Sequence, residues 1–544
     1  TGQPDYLLLN TTAAAVSLFP DAHTVGTAVD TPGPSLYQWA TERGLRIAED
    51  GYTVGAEGRP VRSTDFLPRR LLGEYLSWFY GVVRDRAPGH VRLTEHHTEA
   101  VDLESTSDGE LAVVLADGST LPVEHAFLTT GYTEDATLDG QRVVQPYPLP
   151  DRLAGVGAGE TVAIGGFGLT AMDLVSALTV GRGGRFTDGA YVPSGREPSI
   201  LLYSRSGLPC RARPKVVEFA PRYEPLVFTP SGVDCLRGPH RRPLDFDRDV
   251  RPLVLTEMRI AYRRRQADLV GPDARHALEQ ELATGIGELL DKLDRVRGRF
   301  DAAAALDGST GMRLDDTDAY QQWFASVLRA DLAESELGFV GSPVKAALDV
   351  LRELRDTFRY VVDFGGLAPK SLDEFTSRTV PAINRAVVGP QFERHTELLA
   401  LMAAGVLAVP FGPAPVLAGP NTDGRCTVTS SRLGRPHNRT VDRVIAARVP
   451  PPSVATSASR LITALYAKGQ IRRHRPNSAY VPGIDVDSDQ HPVGASGSDR
   501  RLWVLGPLCE GATFYNNLVP SPNVFSRPLF DAHRCVTAMF AAVG

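Results

Sequence analysis

The residues of this 544-residue chain with the clearest chemical use are Gly166, Gly168 and Ala171, in the segment VAIGGFGLTAMDLV from Val162 to Val175. They complete G-x-G-x-x-A between a β-branched run and an apolar helix, the context that a dinucleotide-binding turn requires. Gly166 can take the φ of a tight strand-to-helix turn, Gly168 lets a pyrophosphate approach the backbone, and Ala171 keeps the helix close to the sheet. The free N–H groups of the helix start, with Gly165, Leu169 and Thr170 around them, then face the phosphates. The next strand, SILLYSRSG, ends at Ser204 and Arg205 instead of the acidic residue that would accept hydrogen bonds from an NAD ribose. A serine and an arginine there suit the 2′-phosphate of NADPH, and an ordinary solvent arginine at a strand end is the alternative.

These residues need elements to hold them. PRRLLGEYLSWFYGVVRDRA, Pro68 to Ala87, places Leu72, Tyr75, Leu76, Phe79 and Val83 at helical spacing. HVRLTEHHTEAVDLES and LAVVLADGSTLPVEHAFLTTG read as short strands, with a hairpin turn at Asp117-Gly118 and a strand from Val123 to Thr130. Between Asp249 and Val406 the pattern turns helical. Asp273 can cap a helix striped by Leu278, Leu282, Ile286, Leu289, Leu293 and Val296. Ser342-Pro343 opens another, carrying Ala347, Leu348, Leu351, Leu354, Phe358 and Val361, and a third from Ala319 to Leu332 presents Tyr320, Trp323, Phe324, Val327 and Leu328. The basic run Arg472, Arg473, His474, Arg475 reads as a solvated loop, RLWVLGPLCEG as a buried strand breaking into a turn, and the last residues as a closing helix.

The whole chain narrows the class further. Its length gives room for several cores, and 42% apolar residues with a net charge of −6 exclude a nucleic-acid binder relying on bulk positive charge. Lys215, Lys292, Lys345, Lys370 and Lys468 are the only lysines, so guanidinium forks grip most anions. Cys210, Cys235, Cys426, Cys509 and Cys535 are odd in number and never in C-x-x-C spacing, which favours free thiols in a reducing cytoplasm and offers no metal site. No apolar stretch is long enough to span a bilayer.

The order of LLLN near the start, PRRLLGEYLSW, a strand ending in TTG, IGGFGLTAMD with GRGGRF soon after, and a late GPLCEG followed by FYNN resembles the bacterial FAD-NAD(P)-binding proteins over nearly the whole chain. Through the two-nucleotide layout and Tyr75-Leu76-x-Trp78 it is similar, more distantly, to the flavin N-oxygenases that hydroxylate ornithine or lysine. The resemblance implies an α/β fold with two Rossmann-like dinucleotide-binding domains and an additional helical segment. Residues 1–150 form the first part of a discontinuous FAD domain, 151–248 an inserted NADPH domain and 249–406 a helical insertion serving as lid or substrate element. Residues 407–544 return to both domains with the closing strand and helix. The family's FAD domain opens with its own Gly-rich βαβ turn, which is not seen before Leu7; a start at Thr1 without Met favours a sequence beginning downstream of that turn over impaired FAD binding. By resemblance the FAD residues are Asn10 and Thr11 near the ring, Arg69 after the loop, Thr130-Gly131 at the sheet edge, and Gly506, Glu510, Gly511 and Asn516 in the closing turn.

Within this family the resemblance points to the nitrosuccinate synthases, which oxidise the amino group of L-aspartate. It implies that hydride from NADPH reduces FAD and that molecular oxygen then gives a C4a-hydroperoxide, whose distal oxygen a neutral amine attacks. A dicarboxylate substrate needs anion clamps, for which Arg211 and Arg213 in GLPCRARPK and Arg435 and Arg439 in SRLGRPHNRT are candidates, with His437 as a hydrogen-bond donor beside them. Arg211 and Arg213 could equally grip the NADPH 2′-phosphate, and the other three could be surface residues. No catalytic base is named, because this chemistry does not require one, and a homo-oligomer is compatible with the resemblance. A flavin reductase or oxidase without N-oxygenation, and a non-catalytic nucleotide-binding regulator, remain as alternatives.

Overall fold

Val162, Ala163 and Ile164 form a continuous apolar run that is wholly buried, the pattern of a strand covered on both faces of a parallel sheet. In the computed structural model this run is the strand Thr161–Gly165. The structure describes the whole chain except residues 1, 30, 106–110, 134–136, 139–140, 143–145, 217–221, 449–451, 476–482 and 544. It divides into two compact units. One comprises Thr1–Asp135, Val361–Pro369 and Pro450–Gly544; the other comprises Ala136–Tyr360 and Lys370–Val449.

The second unit is built on a four-stranded parallel sheet in the order Leu407–Ala408, Ser199–Tyr203, Thr161–Gly165, Arg443–Ala446. Parallel pairing requires crossovers, and the helix Leu169–Leu178, buried from Thr170 onward, supplies the first of them. A long helical stretch separates the second and third strands in sequence. The expected single stripe from Leu278 to Val296 is two helices, Pro272–Thr284 and Ile286–Arg297, because Gly285 between them is extended at φ 177°. Val296 is 75% exposed and lies outside the core, and Asp273 sits inside the first turn with Gly271 as the cap. Ser342 does cap Pro343–Glu353, accepting the Lys345 N–H at 3.0 Å, and Tyr320, Trp323, Phe324 and Leu328 are buried in the helix Thr317–Glu336.

In the first unit the helix Arg69–Asp85 buries Leu71 and Tyr75, and the Tyr75 ring packs 5.7 Å from both Trp39 and Trp78. The buried stripe is therefore rotated from the expected one: Leu76 and Val83 are exposed. The hairpin at Asp117-Gly118 joins Leu111–Leu115 to Thr120–Val123. Of the preceding extended segment only Ala100–Ser105 pairs with it, as the exposed polar residues ahead of it have no apolar face to bury. The strand expected from Val123 to Thr130 is Ala126–Leu128, and it pairs in parallel with the distant Leu502–Val504, Leu502 opposite Ala126. The run Arg472 to Arg475 is not a solvated loop: Arg473 bridges to Ile484, and His474, at 12% exposure, sits 2.7 Å from the Asp485 carboxylate that Arg472 also binds. The closing helix spans Arg527–Val543. No helix among the described residues is long and apolar enough to cross a membrane.

Candidate functional site

Gly166 continues the sheet by donating its N–H to the Tyr203 carbonyl at 2.8 Å, then leaves it at φ +154°. A Cβ there would stand 2.6 Å from the Ala447 carbonyl oxygen, so only glycine fits between the two strand ends. Gly168, the N-cap of Leu169–Leu178, meets nothing within 4 Å of where its Cβ would be, and no side chain caps the helix. Its first N–H groups therefore point from an open glycine turn, and the helix dipole adds positive potential at the same place. Ala171 is fully buried beneath, as close helix–sheet packing demands.

Ser204 and Arg205 follow the neighbouring parallel strand, so both turns open at the carboxyl ends of adjacent strands, where α/β sheets bind nucleotides. The Ser204 hydroxyl accepts the Gly207 N–H at 3.0 Å and fixes the turn, while Arg205 is exposed. This donor set, an uncapped helix start plus an exposed guanidinium one strand away, fits the pyrophosphate and the 2′-phosphate of NADPH.

The segment beyond carries Arg211 and Arg213 and is anchored from within. Asp331 accepts the Ala212 N–H at 2.7 Å and pairs with Lys345 at 2.8 Å, and Lys345 donates to the Ala212 carbonyl at 3.0 Å. Asp331 and Lys345 are both buried. Burial pushes the Asp331 carboxyl up, but the charges of Lys345 and Arg211 outweigh it and hold it below the usual range. Arg211 lies 3.3 Å from the same carboxylate. It shares that single carboxylate with Lys345, and its side chain stays partly exposed. With Arg213, Lys345 and Arg352 it lines a small, partly open hollow. Lys345, one of five lysines in an arginine-rich chain, was the only sequence hint of this pair.

Arg435, His437 and Arg439 border or lie in the antiparallel sheet Val416–Ala418, Cys426–Thr429, Asn438–Val441. Arg435 is exposed and pairs with Asp316 at 3.3 Å. Arg439 is exposed on its strand. The His437 ring stands 5.7 Å from Phe411, and burial, with the Arg439 charge, lowers its pKa.

In the first unit the fold joins candidates far apart in sequence. Thr130-Gly131 follows Ala126–Leu128 and Gly506 follows Leu502–Val504; the two strands are adjacent, and Leu505 N–H donates to Leu128 O at 3.0 Å. Gly131 (φ +69°) and Gly506 (φ +86°) are left-handed and have nothing within 4 Å of a Cβ position, so backbone lies open at both strand ends. Glu510 is half-buried and accepts the N–H groups of Tyr515 and Asn516 and the Asn516 Nδ2, at 2.9, 3.1 and 3.0 Å. Burial raises its pKa against these bonds. Glu510 and Asn516 thus shape the closing turn through each other, and Gly511 turns it at φ +114°. Arg69, at the start of its helix, donates Nε to the Leu8 carbonyl at 3.1 Å and holds the segment that leads to Asn10 and Thr11. The open glycines fit a dinucleotide such as FAD here too. No group of three or more His, Cys, Asp or Glu among the described residues is arranged to hold a metal.

A parallel sheet with an uncapped glycine turn at the carboxyl end of an inner strand defines the class, a dinucleotide-binding α/β protein. Residues 1–133 match the FAD-NAD(P)-binding family model. The nitrosuccinic acid synthase of Aspergillus oryzae is 30% identical over 100% of this chain and 85% of its own length, and an L-aspartate N-monooxygenase (nitrosuccinate-forming) of Streptomyces davaonensis is 32% identical over 100% and 90%. Among solved structures, the ornithine hydroxylase from Pseudomonas aeruginosa aligns at TM-score 0.40 and 11% identity over 88% of this chain and 78% of that one. The chain belongs to the nitrosuccinate synthase family of FAD- and NADPH-dependent flavin monooxygenases.

Proposed function

We propose that this protein oxidises the amino group of L-aspartate to nitrosuccinate, using NADPH, FAD and molecular oxygen. The observation that carries the reading is the open Gly166-to-Ala171 turn beside an exposed Arg205, in a chain similar over its given length to two enzymes of that activity. The flavin, when bound, supplies the oxygen-activating chemistry. The second unit's turn binds the nicotinamide nucleotide by backbone N–H groups, and Ser204 and Arg205 select the phosphorylated ribose. The first unit's turns at Thr130-Gly131 and Gly506 to Asn516 hold FAD, with Asn10, Thr11 and Arg69 on the N-terminal segment completing the site. The substrate amine must be neutral to act as a nucleophile, so the site that receives it keeps water out and disfavours ammonium. Its two carboxylates need guanidinium partners. Arg211, Arg213, Arg435 and Arg439 are the guanidinium groups to substitute in turn; Arg211 pairs with Asp331 and Arg435 with Asp316.

The test is NADPH consumption by the FAD-loaded protein with and without L-aspartate, with hydrogen peroxide and product mass measured together. Aspartate is expected to accelerate NADPH use and to divert oxygen from peroxide into an oxidised dicarboxylate. Turnover indifferent to L-aspartate, with one peroxide per NADPH, overturns the reading in favour of an oxidase.

A further inference from the structure

The segment Val361–Pro369 belongs to the first unit although the residues flanking it in sequence belong to the second. At its centre Asp363, Phe364, Gly365 and Gly366 make a four-residue turn closed by the Gly366 N–H on the Asp363 carbonyl at 3.1 Å. Both central residues are left-handed, Phe364 at φ 53°, ψ 38° and Gly365 at φ 81°. Turns of that kind take Asn, Asp or Gly at the first central position, because a larger side chain there strains the backbone.

The fold holds the strain in place from both sides. The Phe364 N–H donates to the Ala512 carbonyl at 2.7 Å, and the Asp363 carboxylate accepts the Phe514 N–H at 2.8 Å. The same carboxylate pairs with Arg527, whose guanidinium is fixed in turn by Asp531 at 2.8 Å. All these anchors lie in or just after the closing turn that contains Gly506, Glu510, Gly511 and Asn516. What they fix is a phenyl ring left 44% exposed. A lone exposed aromatic is ordinary on a protein surface. One held by an ion pair and two hydrogen bonds in a turn that disfavours its residue type, with its ring still partly exposed, points to a ligand that covers it.

We infer that Phe364 is a wall of the flavin site, its ring packing against the isoalloxazine of the FAD held by the closing turn. This rests on the reading of that turn given above. The occupant follows from the chemistry: the surface on offer is flat and apolar, the anchors beneath it are polar and already satisfied, and the isoalloxazine is a large planar ring that buries well against a phenyl.

The experiment is FAD titration of the full-length protein as wild type, Phe364→Trp and Phe364→Gly, followed by flavin fluorescence, with thermal unfolding of each FAD-free protein. The tryptophan variant is expected to bind FAD and to quench its emission beyond the wild type, since an indole in contact donates an electron to the excited flavin. The glycine variant is expected to unfold at the same or a higher temperature, because glycine takes positive φ without strain, while its FAD dissociation constant rises about tenfold for loss of the ring contact. Unquenched emission in Phe364→Trp, or wild-type affinity in Phe364→Gly, overturns the role of Phe364 and leaves the FAD reading standing. A glycine variant less stable without FAD marks a structural role and also overturns it. Wild-type protein that takes up no FAD in this titration overturns the reading of the closing turn itself.

Discussion

Two glycine turns, one in each unit, solve the same problem by different means. The Gly166-to-Ala171 turn is six consecutive residues and works through backbone alone: a carbonyl wall at Ala447, open space at Gly168 and uncapped N–H groups. The closing turn is assembled from residues near 130, 363 and 510, and side chains hold it, with the Glu510 carboxylate taking three N–H donors and Asp363 bracing Phe514. The backbone site tolerates no added atom at Gly166 but needs no buried charge. A site pinned by side chains fails when one acceptor is removed.

That contrast is broken most directly at Gly166. In Gly166→Val the new side chain meets the Ala447 carbonyl oxygen, 2.6 Å from the Cβ position, while forcing a β-branched residue to positive φ. NADPH affinity, read by isothermal titration, is expected to fall by about three orders of magnitude, the loss of several charge-assisted backbone bonds. FAD content is expected to hold. Glu510→Ala is the matching lesion in the first unit. It leaves the Tyr515 and Asn516 N–H groups and Asn516 Nδ2 without their acceptor in a buried turn, at a cost of about 3–5 kcal/mol. Denaturant unfolding of the purified variant and its flavin absorbance should show a destabilised first unit that retains little FAD, with NADPH binding intact.

The same contrast explains what could be read from the sequence. The strand Thr161–Gly165, its helix and the strand Ser199–Tyr203 were legible because motif, apolar run and partner strand are local, within 43 residues. The pairing of Ala126–Leu128 with Leu502–Val504 was not legible from pattern, since parallel strands carry no register signal across such a separation; only resemblance linked Thr130 to Gly506. The rotated face of Arg69–Asp85 has a similar cause. The expected set Leu72, Tyr75, Leu76, Phe79, Val83 and the set Leu71, Tyr75, Trp78 are both helically spaced and share Tyr75, and aromatic packing against Trp39 decided between them. Asp331 with Lys345, and Phe364, escaped because a single charged or aromatic residue in a helical stretch has no periodicity to betray it.

Acid sharpens the comparison next, since buried charges anchor the Arg211–Arg213 segment. His395 is buried beside Asp331, Lys345 and Arg211, and burial, aided by the two cations and opposed by Asp331, pushes its pKa down from 6.5 to about 4. Between those values the unfolded chain binds a proton that the folded one refuses. The stability this His contributes is therefore fully present above pH 6.5 and is lost as pH falls toward 4, by about 3 kcal/mol for a shift of that size. Denaturant unfolding measured from pH 7 to pH 4 should show this slope, and His395→Leu, which cannot charge, should flatten it. An unchanged slope in the variant assigns the acid sensitivity elsewhere.

The smallest effect isolates Arg205, proposed with Ser204 to read the phosphorylated ribose. Arg205 is exposed at the end of Ser199–Tyr203, while Ser204 holds the turn by accepting the Gly207 N–H. Arg205→Ala should leave the fold unchanged, because an exposed arginine at a strand end contributes little to stability. A guanidinium bound to the 2′-phosphate by charge-assisted hydrogen bonds is worth about 2 kcal/mol, so kcat/KM for NADPH should fall about thirtyfold. NADH, which has no such phosphate, should be used as before, and its ratio to NADPH is the measurement that matters. Equal losses for both nucleotides would mean that Arg205 positions the turn instead of reading the phosphate. The selectivity of the backbone site would then lie in the segment that Asp331 and Lys345 anchor.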